Sequence, residues 1–376
     1  MTKAKPRART GWRAAAGLAL MLLAPLPVSA GSGIVDGQAA TMEHAAGTPE
    51  YGVRDGSLVV APIPFSNPTI GSGLVLGAGY LFNLDPASKP SMVGIGGLWS
   101  DNGSRGYGVN ISLAFANNRW QVHGFHGKAG LNYDLYTPLG ILPIRQDGRL
   151  SKLGLSYGVN HDLSFGLTLR HLDTSIEQKL IPLPPPFDRD IDLELLNIGA
   201  VVDWDTRDDT IYPRSGHRLY AEASHGEPLH QTRGRDYRKG YVNFDLFRPV
   251  GDHGVFAARF SACAADDEAP FFDKCALGLN DGFRGFSVTQ FLDNRSASLQ
   301  VAYRHRFGDR LGAVAFAGTG DVGPHYETFG EGGLHSAGGV GLRYRVSRKF
   351  PVDFAVDGSR NNLGENTLYI YVGQRF

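Results

Sequence analysis

The chain has 376 residues with 37 basic and 37 acidic side chains, a formal net charge of zero, which removes the electrostatic case for nucleic-acid binding. Fifty glycines, 15 tyrosines and 21 phenylalanines against four methionines favour strands over helices. No linker or composition break follows residue 56, so one unusually large domain is expected.

Residues 1–30 have the layout of an export signal: Lys3, Lys5, Arg7, Arg9 and Arg13 without an acid, a short apolar core at 14–24, and small residues at Val28-Ser29-Ala30. The pattern predicts cleavage after Ala30 and a cell-envelope destination. No later stretch offers the ~20 continuous apolar residues of a membrane helix. Residues 31–56, rich in Gly and Ala, read as a flexible leader.

From 57 to 376 the dominant signal is period-two alternation. It predicts strands at 57–64, 71–83, 91–99, 107–117, 120–134, 149–157, 160–170, 193–205, 216–226, 238–249, 253–264, 296–307, 311–319, 337–346, 350–357 and 367–376. At 296–307, Leu299, Val301, Tyr303 and Phe307 share one face while Ser298, Gln300, Arg304 and Arg306 share the other. Such faces suit lipid and a wet lumen, although a soluble sandwich alternates in the same way. The export signal, the sixteen strands and the final aromatic together favour an all-β, sixteen-stranded antiparallel transmembrane barrel. An even count places both ends in the periplasm, with long external loops at 135–148, 171–192, 265–295 and 320–336 and short turns opposite. Trp99, Trp120, Trp204, Tyr80 and Phe82 fall near strand ends, as girdles or as scattered aromatics.

Three segments stand out. Residues 203–216 form a turn carrying Asp205, Arg207, Asp208, Pro213 and Gly216; residues 282–286 read Gly282-Phe283-Arg284-Gly285-Phe286; residues 316–323 read FAGTGDVG. With Phe376 at the end, these resemble the Omp85 superfamily, the surface-antigen or D15 barrels, whose members include the BamA and TamA assembly factors. The resemblance covers residues 57–376. It implies that Arg284 reaches into the lumen on a plugging loop and meets an acid on the strand after next. Gly318 stands where that acid is expected, which leaves Asp321 as the candidate partner; the alternative is an ordinary exposed loop arginine. Leu368, Ile370, Val372 and Phe376 share a face of the last strand and read as the signal to a barrel-assembly machinery. The 26 residues of the leader are too few for periplasmic POTRA modules of ~75 residues each, so the minimal branch is expected, with a separately encoded periplasmic protein as a candidate partner.

Other signals carry less. Gly154, Ser156 and Gly158 match a nucleophile elbow, but an alternating strand follows where a helix is needed. Gly71, Gly73, Gly77 and Gly79 lack the helix of a phosphate loop, and the histidines show no metal spacing. No enzyme activity, cofactor or metal is expected. In an oxidising compartment Cys263 and Cys275 would close a 13-residue loop worth ~2–4 kcal/mol. Within it, Asp266, Asp267, Glu268 and Asp273 read as a solvated acidic loop rather than a Ca²⁺ site. The prolines at 182–186 stiffen another external loop.

The expected role is to translocate, insert or organise protein or lipid in the outer membrane, beside a seam between 57–64 and 367–376 where Pro62 and Pro64 remove ladder donors. The alternatives are a diffusion channel with Arg304 and Arg306 lining its lumen, and a surface-exposed structural or adhesion protein.

Overall fold

The computed structural model describes residues 57–85, 88, 91–138, 140–179, 191–209, 212–229, 235–279, 282–345 and 353–376. The export signal, the leader and the proline run lie outside them. Sixteen strands form the wall: β1 Ser57–Asn67, β2 Gly71–Phe82, β3 Ser91–Ser100, β4 Arg105–Phe115, β5 Trp120–Thr137, β6 Gly140–Gly158, β7 Leu163–Gln178, β8 Ile191–Asp205, β9 Gly216–Leu229, β10 Tyr237–Val250, β11 Gly254–Ala265, β12 Arg295–Phe307, β13 Leu311–Gly323, β14 His335–Arg345, β15 Asp353–Asn361 and β16 Asn366–Val372. Each pairs antiparallel with its sequence neighbours, and β1 meets β16 to close the barrel. Closure leaves no strand edge facing hydrocarbon, where each unpaired backbone group costs several kcal/mol.

The alternation becomes two faces. On β7, Phe165, Leu167 and Leu169 point outward and are 47%, 64% and 42% exposed, while Arg170 and Leu172, further along the strand on the other face, are buried. Trp120 and Trp204 lie on outward positions at the end with short turns, and Trp99 lies at the end with the longest loop. Exposed apolar side chains at this density fit a lipid-facing belt.

The segment 135–148 is not a loop. β5 and β6 stay paired up to Thr137–Gly140, and β7 continues to Gln178. The reason is burial. Leu131, Tyr133, Ile144, Leu150, Leu172, Ile176 and Leu195 form a cluster with Cys263 at the end of β11 and with Phe272 and Cys275 of the long loop. Strands that run past the belt therefore still have a covered face to pack. The end of the chain also departs from expectation: β16 stops at Val372, and Phe376 does not share its outward face.

Candidate functional site

The long connection 266–294 is fixed at two levels. At its base a disulfide joins Cys263 to Cys275 across a Cα separation of 5.7 Å, and Cys275–Ala276 pairs with Leu292–Asp293 in a two-rung ladder. Asp273 closes a short 3-10 turn at Phe271–Asp273 and is not solvated, contrary to the acidic-loop expectation. Its carboxylate is fully buried. It takes Arg170 Nη2 at 2.5 Å and Lys239 Nζ at 3.3 Å, and accepts a short hydrogen bond from the Tyr237 hydroxyl. Arg170 also donates to Asn197 Oδ1 at 3.0 Å. Burial alone would raise the Asp273 carboxyl, but Arg170 and Lys239 hold it below its ordinary 3.8. Charged side chains from β7 and β10 thus clamp the loop to the wall.

Residues 282–286 descend against the inward faces of β13 to β16. Arg284 is 4% exposed and donates from Nη1 to Asp357 Oδ2 at 2.6 Å. The same carboxylate receives Arg343 Nη1 at 2.5 Å and the Tyr371 hydroxyl at 2.6 Å. The guanidinium carbon lies 3.4 Å above the centre of the Phe316 ring, a cation–π contact in a desolvated place. Gly285 donates its N–H to the Tyr369 hydroxyl at 2.8 Å, and its carbonyl accepts from Asn361 Nδ2 at 2.9 Å. A side chain is excluded at 285, because φ is +121° and a Cβ would stand 2.5 Å from that of Ala337. Phe283 and Phe286 are both buried and pack with Ala337 and Phe291.

The partner of Arg284 is therefore Asp357 on β15, and not Asp321. Phe283 supplies the reason for the vacancy at the expected place: a Cβ on Gly318 would lie 2.9 Å from its ring. An acid there would displace the phenylalanine. Asp321 instead closes the β13–β14 hairpin, accepting from Val322 N at 2.8 Å and Gly330 N at 2.7 Å.

Phe376 comes to the same site from below. Gly373, with φ +93°, turns the chain after β16 and donates to Asp353 O at 2.8 Å. Phe376 then packs inside with Phe247, Ala257, Ala302, Val314 and Phe316. The Arg259 and Arg284 guanidinium carbons lie 5.3 and 5.6 Å from its ring centre. Leu368 remains outward and 53% exposed, so the expected shared face of Leu368, Ile370, Val372 and Phe376 is broken at Gly373.

Residues 206–209 and 212–215 lie at the other end of the barrel. Arg207 folds back on Asp205 at 2.7–2.8 Å, and Asp208 Oδ1 accepts the backbone N–H groups of Arg214 and Ser215 at 2.9 and 3.1 Å. This shape presents Pro213 O to Arg304 Nη2 at 2.6 Å and sets the Tyr212 ring 4.9 and 4.3 Å from the guanidinium carbons of Arg304 and Arg306. Gly216 then opens β9. Arg304 is 2% exposed and Arg306 is ion-paired with Asp353. The Tyr212 ring beside both and Pro213 against Arg304 go against the alternative of an open channel lined by these two arginines.

No family model and no curated protein matches the sequence. Solved structures do. BamA from Haemophilus ducreyi lacking POTRA domains 1–3 superposes with a TM-score of 0.58 at 13% identity, over 85% of this chain and 70% of that one. CdiB from Acinetobacter baumannii gives 0.58 at 11%, over 85% and 60%, and CdiB from Escherichia coli gives 0.56 at 15%, over 86% and 63%. The chain has the fold of these barrels.

At this identity the likeness is one of architecture, and the chain spans only about three fifths of either CdiB. Within the BamA- and CdiB-like frame, the site brings together Phe283, Arg284, Gly285, Phe286, Phe316 and Phe376, while Asp205, Arg207 and Asp208 sit at the far end. Sequence reasoning missed Asp357, Arg343, Tyr369, Tyr371 and Asn361. A usable signal existed for the first of these. Asp353, Ala355, Asp357, Ser359 and Asn361 alternate on the buried face of β15, and a carboxylate on such a face requires a cation. Gly154, Ser156 and Gly158 lie inside β6, and Gly71, Gly73, Gly77 and Gly79 inside β2.

Proposed function

We propose that this protein is an outer-membrane barrel of Omp85 type that moves or inserts polypeptide or lipid beside its β1–β16 seam, while the 282–286 loop keeps the interior shut. The seam carries the proposal. Among the described residues β1 and β16 meet through the single pair Ser66–Ile370, whereas the other ladders run from the seven pairs of β15–β16 to the eighteen of β5–β6. Pro62 and Pro64 occupy alternate positions of β1, so both withhold an N–H from the same edge, yet β1 keeps its ladder with β2 from Ser57–Leu81 to Asn67–Gly71. A wall that is weak at one place, with its own loop packed against the inner faces of β13 to β16, favours lateral release over passage through the lumen. The burial of Arg304 and the pairing of Arg306 with Asp353 disfavour a plain diffusion channel.

Locking the seam tests this reading. Vesicles carrying the protein are expected to speed the folding of an added unfolded outer-membrane barrel several-fold over empty vesicles. Cysteines introduced at Ser66 and Ile370 and oxidised should abolish the acceleration, and reduction should restore it, with wild type passed through the same oxidation and reduction as control. Equal rates with the seam locked and unlocked would overturn the proposal.

A further inference from the structure

The outward face of β1 to β6 carries a groove of about 830 Å³ that the seam does not explain. Its outline follows from register. One row across the wall is Leu76, Gly97, Tyr107, Lys128 and Arg149; the row beneath is Ala78, Ile95, Val109, His126 and Ser151; above lie Leu74, Trp99 and Arg105. Gly97 is the hollow between Leu76 and Tyr107, and the Trp99 indole folds over it, since a Cβ there would stand 2.6 Å from the ring. One end of the groove is thus apolar, with Val60, Leu76 and Ile95. The other end is basic, with Lys128, Arg149 and His126, and Arg105 stands just above.

These cations are not engaged by the protein. Arg105, Lys128 and Arg149 are exposed and make no hydrogen bond or ion pair among the described residues. Asp173 faces Arg149 across β6–β7 but forms no salt bridge with it, and Glu194 is taken by His171 at 2.9 Å. Their height is informative. Lys128 and Arg149 are opposite one another, eight residues along from the opposed Trp120–Tyr157 pair. At about 3.3 Å per residue and a tilt of ~40°, that separation is ~20 Å along the barrel axis, near the far margin of a ~25 Å apolar belt. The basic end therefore lies at headgroup depth on the side of the long loop, with apolar surface beneath it.

We infer that this groove holds a phosphorylated glycolipid of the outer leaflet, with phosphates on Arg105, Lys128 and Arg149 and an acyl chain along Val60, Leu76 and Ile95. Charge selects the occupant: three unpaired cations above an apolar slot match an anionic headgroup with tails, and a neutral lipid would leave them unused. The groove starts on β1, so the lipid would border the seam. Placement in the outer leaflet rests on the orientation proposed above, with the long loop external; binding in detergent does not, and its failure would remove the lipid site alone.

The test is native mass spectrometry of the detergent-solubilised protein titrated with a hexa-acylated, bis-phosphorylated glucosamine disaccharide. One lipid per barrel is expected, and the Lys128→Ala/Arg149→Ala double variant should weaken retention by about tenfold or more. The same lipid stripped of its phosphates should bind wild type as weakly as the intact lipid binds the variant. Both substituted residues are exposed, so an unchanged unfolding midpoint confirms that the variant is folded. Equal retention by wild type and variant, equal binding of the phosphate-free lipid, or displacement by equimolar inorganic phosphate would each overturn the assignment.

Discussion

Replacing Asp357 with alanine is expected to cost about 3–5 kcal/mol, because two arginines lose their carboxylate in a place without solvent. Arg284 and Arg343 both donate to this group and their side chains are each 3% exposed. The loss should not be confined to one contact. Tyr371, which also donates to Asp357, bonds Arg343 at 2.8 Å, so removal of the acid loosens β14, β15, β16 and the loop together. The check is the urea midpoint of the barrel in vesicles, together with protease cleavage within 266–294. Ser359→Ala, two positions along the same buried face of β15, is the comparator and should change both little. If Asp357→Ala and Ser359→Ala unfold alike, the carboxylate does not anchor the loop.

Asp273→Ala should produce a second loss of similar size, about 3–5 kcal/mol, but one that first frees the base of the loop. Arg170 and Lys239 have 4% and 0% side-chain exposure, and the disulfide limits how far the backbone can retreat to admit water. The expected result is proteolysis near Phe271–Asp273 under conditions where wild type is resistant. The acid dependence has a definite sign. The folded carboxyl titrates below 3.8, so its contribution is complete above the unfolded value and fades as pH falls through the lower folded value. Resistance of wild type should therefore be flat from pH 7 to pH 5 and decline only below the ordinary carboxylate range, whereas the variant should be susceptible throughout. A wild-type decline already at pH 5–6 would remove Asp273 as the cause.

The barrel was legible because lipid and lumen impose opposite demands on alternate residues. That alternation is plain in strands such as β12 and β15, and the expected count of sixteen is the observed one. Strand length was not legible for β5 to β7. Their extensions owe their buried face to Phe272 and the Cys263–Cys275 disulfide, all far beyond Gln178 at the end of β7 in sequence, and periodicity alone does not report such partners. The loop tip was found through its composition, since an arginine between glycines and phenylalanines suits a confined place. Its acid was misplaced because spacing along β13 was followed instead of burial across the wall. Phe283 fills the space over Gly318, and the counter-charge comes from β15. The inward turn of Phe376 needed two facts at once: a glycine able to adopt positive φ at 373, and an apolar bed formed by Phe247 on β10, Ala257 on β11, Ala302 on β12, and Val314 and Phe316 on β13.

Arg284 holds the loop tip against the inner wall of the barrel. Single-channel conductance in planar bilayers, comparing wild type with Arg284→Ala, tests it most directly. Removing the guanidinium releases Asp357 and the stacked Phe316 and lets the segment 282–286 leave the wall, so the variant should show large, frequent openings where wild type is nearly silent. Identical currents, at the same protein density and with the variant's barrel folded, would contradict the claim that this arginine keeps the interior closed.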